Sequence, residues 1–137
     1  LAGMALNSRG DQQLYSAEMT GKTYQTLIDY GVTLAQAGFR VILDAKFDRL
    51  EQRQQVFAQA QGIPVKILYC QADQATLTQR LRDRAAANDD IADATAELLP
   101  SQIANFAPFT DQELNHLVSI DTRSLIDWQL LLRQLEL

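Results

Sequence analysis

Three short apolar runs, Phe39–Asp44, Val65–Cys70 and Leu117–Asp121, are separated by stretches long enough to form helices. Each run has the length and the apolar character of a buried strand. Strands that alternate with helices need crossover connections. The expected fold is therefore α/β: three layers, with a mostly parallel sheet and helices on both faces. The first run ends on Asp44. Ligands bind at the carboxyl edge of open parallel sheets, so Asp44 is expected to bring a carboxylate to the chemically active rim. No complete phosphate-binding loop accompanies it. The two features together suggest part of a nucleotide-dependent enzyme.

The intervening stretches carry helical signals. Tyr24, Leu27, Ile28, Gly31, Leu34 and Ala35 recur at helical spacing, with Ser16 as the expected N-cap and Gly38 as the C-terminal stop. Asp48 and Glu51 form a capping-box pattern before a helix with Leu50, Val56, Phe57 and Ala60 on one face, and Gly62 ends it. Asp73 is placed to cap a helix that turns Leu77 and Leu81 inward. A polar connection spans residues 85–93. A helix over residues 94–106 follows, kinked or restarted at Pro100. Thr110 and Glu113 form a further capping box. The last helix is expected over residues 124–137, with Leu125, Trp128, Leu131 and Leu132 inward.

The chain has 137 residues, 47% of them hydrophobic, which suits one domain, residues 1–137, with a real core. Its net charge of −5 leaves no electrostatic footprint for nucleic acid or for an anionic membrane. Any polyanion must be held by a few local arginines. Cys70 is the only cysteine, so no intramolecular disulfide can form, and a reducing, cytoplasmic setting is expected. No apolar stretch is long enough to span a bilayer. Leu1 opens the chain without signal-peptide character, which reads as a piece of something longer.

Gly21-Lys22-Thr23 imitates the end of a Walker A motif. That motif also needs a glycine where Ser16 stands, and it must join a strand to a helix. Here the tripeptide lies inside an amphipathic pattern, so a helix surface is the better reading.

Several groups of residues together resemble one family: Tyr15-Ser16-x-Glu18-x-Thr20-x-x-Thr23-Tyr24, Val41-Ile42-Leu43-Asp44-Ala45-x-Phe47, Arg53-x-x-x-Phe57, Cys70-x-Ala72, Leu77-x-x-Arg80-Leu81-x-x-Arg84, Asp93-Ala94 and Ile120-Asp121-Thr122. They are similar, in order and spacing, to P-loop kinases of the zeta-toxin, gluconate-kinase and polynucleotide-kinase type. The nearest resemblance is to ATP-binding domains fused to aminoglycoside-phosphotransferase-like domains. It implies a truncated P-loop NTPase fold in which the first strand, the P-loop and a second strand precede Leu1. The family's first strand would lie between those ending at Asp44 and Cys70. Its absence implies a gap, a non-native pairing, or an exposed edge filled by another chain, and through such edges a homo-oligomer.

The resemblance also implies roles. The whole protein would use ATP and Mg²⁺ to phosphorylate a small hydroxyl-bearing molecule, while this chain alone would be inactive. Asp44 would orient the acceptor hydroxyl, and Arg80 and Arg84 would be lid arginines on the phosphates. Arg53 matches a position on the substrate side. From the residues alone, Asp44 as a turn cap and Arg80 and Arg84 as a solvated helix face stay open. An alternative reading is a non-catalytic nucleotide-sensing or interaction module. No residue is assigned to a metal. Asp121 is expected to form a turn, His116 to be structural or exposed, and Cys70, Tyr24, Tyr30, Phe57 and Trp128 to be core.

Overall fold

The computed structural model describes residues 9–88 and 92–136; of residues 9–15, 88 and 92–96 only the backbone is described. The element order is α1 (Arg9–Gln36), α2 (Leu50–Gln59), β1 (Ile67–Gln71), α3 (Gln74–Asn88), α4 (Ala92–Ala104), α5 (Asp111–Leu114), β2 (Leu117–Asp121) and α6 (Trp128–Gln134). These form an α/β protein with a small parallel sheet. The chain divides into two compact units. Among the described residues, the first holds 9–47 and 51–63, and the second holds 48–50, 64–88 and 92–136.

In the first unit, α1 starts at Arg9, so Ser16 lies within it rather than capping it. The Ser16 carbonyl accepts the Thr20 hydroxyl at 2.8 Å, one turn on. The helix ends as its sequence signals. Gly38 has φ +92°, its amide donates to the Ala35 carbonyl, and the Phe39 amide donates to the Leu34 carbonyl. This pair of bonds is a Schellman closure, and the left-handed residue it needs is cheapest as glycine. The inward stripe comprises Tyr24, Leu27, Ile28, Gly31 and Ala35, with Ile28 fully buried. Leu34 and Tyr30 point outward, at 46% and 69% exposure. Tyr30 is therefore not a core residue.

Residues 39–44 form no strand. A strand is defined by its partner, and the described residues offer this segment no ladder. It runs against α1 instead. A β-carbon built on Gly31 would sit 2.5 Å from Leu43 Cδ2, so the bare helix backbone at Gly31 leaves the space that Leu43 fills. Gly31→Ala is expected to change stability little, because about 1 kcal/mol of helix propensity is offset by displacing a side-chain tip. Gly31→Leu is expected to cost about 1–3 kcal/mol by overpacking, read from urea midpoints.

In the second unit, β1 and β2 pair in parallel, with Ile67 opposite Leu117 and Gln71 opposite Asp121. The Ile67 amide extends the pairing to the His116 carbonyl. Tyr69 packs against Phe106 and Phe109, with centroids 5.5 and 5.0 Å away. Along β1, Ile67 and Tyr69 are half-buried, while Leu68 and Cys70 are exposed. A two-stranded sheet covered on one side explains why Cys70 is not core despite its apolar run.

Two caps of the second unit match their sequence signals, at Asp73 and at Thr110 with Glu113, whereas α2 starts at Leu50 without the expected Asp48–Glu51 box being shown. The Asp73 carboxylate accepts the Thr76 amide at 2.8 Å, opening α3. Thr110 and Glu113 form the reciprocal capping box of α5, with Glu113 4% exposed. Helix α3 extends through residues 85–88, part of the expected connection, whose residues 89–91 lie outside the described ones. Helix α4 continues through Pro100 as one element. The final helix is shorter than expected. Asp127 caps it by accepting the Leu130 amide, so residues 124–127 precede it as loop. Only Leu131 of its four expected core residues is buried; Leu125, Trp128 and Leu132 are 101%, 63% and 48% exposed.

Candidate functional site

Gln71 and Asp121 end the paired strands side by side, so the residues after them form the carboxyl rim of the sheet. Arg80 of α3 is anchored there. Its Nη1 donates to Thr122 Oγ1 at 2.8 Å, and its Nη2 donates to the Thr122 carbonyl at 2.6 Å. The Thr122 hydroxyl in turn donates to the Gln71 carbonyl at 2.9 Å. One guanidinium thus joins α3 to the ends of both strands. Two of its five N–H donors have these partners, and both acceptors are neutral.

Arg123 lies beside it with the opposite pattern. It donates to both oxygens of Asp121, at 2.9 Å from Nε and 2.6 Å from Nη2, and to Asp73 at 3.0 Å from Nη1. Its amide also donates to Asp121, which makes Asp121 the turn-forming residue that its position beside Thr122 suggests. The Thr76 amide first, and then Arg123, hold the Asp73 carboxyl below its ordinary 3.8, at about 2. Arg123 holds Asp121 down to about 2, with a smaller contribution from the Arg80 charge. The Arg123 guanidinium is pushed up by the same two carboxylates.

Both acids have folded values below their unfolded ones. Their contribution to stability is therefore complete above the unfolded value near 3.8 and is lost as pH falls toward 2. Unfolding titrations of Asp73→Asn are expected to show a shallower loss between about pH 4 and 2 than the parent.

The other expected site residues are placed as follows. Arg84 is exposed one turn beyond Arg80 on α3. Asp44 is in the first unit, exposed, in the extended segment after α1 rather than at a strand end. Arg53 is 3% exposed, and its Nη1 donates to the Phe47 carbonyl at 3.0 Å. Phe47 has φ +45°, a strained conformation for a bulky residue. Its amide donates to the Tyr24 hydroxyl at 3.2 Å, and its ring meets the Tyr24 ring edge to face, with centroids 5.1 Å apart. Arg53 thus helps hold the turn that follows Asp44.

Gly21-Lys22-Thr23 lies within α1, where Lys22 pairs with Glu18 at 2.7 Å and Thr23 donates to the Met19 carbonyl. It is a helix surface and not a phosphate loop. A depression of about 420 Å³ along α1 is lined by Ser16, Met19, Thr20, Thr23 and Tyr24, with neither a carboxylate nor a cation. His116 Nδ1 meets the Val65 carbonyl at 3.0 Å, a structural link beside the strands. Among the described residues, no group of three or more His, Cys, Asp or Glu is placed to hold a metal, and no helix is long and apolar enough to cross a membrane.

Sequence reasoning missed Arg123. Its signal was available: an arginine two residues after a strand-ending aspartate, with a second acid just beyond the neighbouring strand.

Helices and a small parallel sheet, with polar groups gathered at the sheet's carboxyl rim, fit a protein of the P-loop NTPase fold. A family model described as an AAA domain matches residues 1–109, and the chain belongs to that family of P-loop NTPase-like proteins. Comparisons with curated proteins and with solved structures find no match.

Proposed function

We propose that this chain is part of a cytoplasmic P-loop kinase of the zeta-toxin and gluconate-kinase type, which transfers the γ-phosphoryl group of ATP to a small hydroxyl-bearing molecule. Membership of a nucleotide-binding family supports the first half of this reading. The observation that carries it is Arg80: a cation at the carboxyl rim, held by neutral acceptors, with donors to spare for phosphate oxygens. Arg84, one turn away, would add charge as the phosphates settle. Asp44 would orient the acceptor hydroxyl, and Arg53 serves the substrate side by fixing the Phe47 turn beside it.

Mg²⁺ use follows from the family, but the acids described here form no cluster suited to the ion, so no step is assigned through it. No glycine loop among the described residues cradles phosphate, so ATP binding by these 137 residues is expected to be weak, about millimolar. Arg80→Ala is expected to weaken it a further 5- to 10-fold or more, by NMR titration with ATP. Unchanged affinity would remove Arg80 from the site. Association through the sheet edges that no described strand pairs belongs to the same reading. Light scattering that rises with protein concentration would support it.

A further inference from the structure

The rim holds two arginines and two aspartates within one hydrogen-bonded group, and the partners are sorted. Both carboxylates go to Arg123, and both neutral acceptors go to Arg80. Among the described residues Arg80 has no ion-pair partner, although it binds the backbone of Thr122, the residue next to Asp121. Arg80 is close enough that its charge is felt by the Asp121 carboxylate. Without Arg123, Asp121 would be an anion within range of the Arg80 charge.

We infer that Arg123 is a positioning residue that occupies Asp121 and Asp73, so that the Arg80 guanidinium stays on neutral acceptors and remains charged and available for a phosphate. The inference rests on the reading of Arg80 as a phosphate ligand. Two features make Arg123 suited to the task. Its planar fork meets Asp121 through Nε and Nη2 together, a bidentate geometry that lysine cannot reproduce. Its third donor, Nη1, reaches Asp73 at the mouth of α3, so one side chain satisfies both acids. Thr122 completes the sorting. Its hydroxyl accepts from Arg80 while donating to the Gln71 carbonyl, which fixes the guanidinium against the strand ends. A phosphate arriving at the rim then meets an oriented cation and does not have to displace a carboxylate first.

The test is titration of the 137-residue chain with tripolyphosphate, followed by ¹⁵N NMR at the Arg80 side chain. Arg123→Gln frees Asp121 to pair with Arg80 and is expected to weaken tripolyphosphate binding about 5- to 10-fold. The double variant Asp121→Asn with Arg123→Gln removes the competitor and is expected to return affinity to within about twofold of the parent. A merely structural Arg123 would leave the double variant as weak as the single one, and that result overturns the inference. Parent-like affinity in Arg123→Gln, or no response of Arg80 in the parent, overturns it too. Circular dichroism checks each fold. Should Arg123→Gln not fold, Arg123→Lys replaces it, with the same direction at smaller amplitude. Repeating the titration with ATP separates the two readings. Restoration with tripolyphosphate, together with ATP bound no tighter, supports the sorting and removes the nucleotide. ATP bound tighter, without restoration, does the reverse.

Discussion

Arg53→Met is expected to destabilise the first unit by about 3 kcal/mol. Arg53 lies on the inward stripe of α2, in line with Leu50 and Phe57, and is 3% exposed. Methionine roughly fills the volume, so the loss is not one of packing. A large share of it comes from the Phe47 carbonyl, which loses a charged donor in a part-buried setting. Phe47 then keeps its left-handed backbone with the Tyr24 hydroxyl and ring as its remaining identified supports. Chemical denaturation followed by far-UV circular dichroism measures the effect. A midpoint change worth less than about 1 kcal/mol would mean that the bond to Phe47 is not what holds this turn.

The second large effect concerns activity. In a polypeptide that joins this domain to a phosphate-cradling loop, Asp44→Asn is expected to lower kcat by about 10²- to 10⁴-fold. Asparagine keeps the shape and loses the charge proposed to orient the acceptor hydroxyl. KM for ATP should hardly move, because the nucleotide phosphates are assigned to Arg80 and Arg84. Steady-state assays over a panel of small alcohols make the comparison. Full turnover in Asp44→Asn would remove Asp44 from the mechanism. Turnover by the 137 residues alone, lost on the same substitution, would show instead that no further loop is needed.

The features legible from sequence were those decided within a few residues. Gly38, Asp73 and the Thr110–Glu113 pair announced helix ends because capping is local chemistry. The run Leu117–Asp121 became a strand with the predicted limits because a parallel partner exists for it. The run ending at Asp44 has the same apolar character and no ladder, so propensity alone could not complete it. Cys70, Tyr30 and Trp128 failed as core predictions because burial depends on what covers a face, which periodicity does not report. At the candidate site, Arg80 was named from the sequence, but its hold on Thr122 crosses 42 residues and could not be seen there. Arg123 escaped notice for the same reason: one of its two acids lies 50 residues away.

The placement of Leu43 and Phe47 bears on how far Asp44 can travel. Leu43 is seated in the notch at Gly31, and Phe47 is moored to Tyr24 and Arg53. The stretch between these two abutments has a contour of at most about 14 Å. A carboxylate carried on so short a bridge sweeps a small arc, and much of the entropy of fixing it has been spent before any ligand arrives.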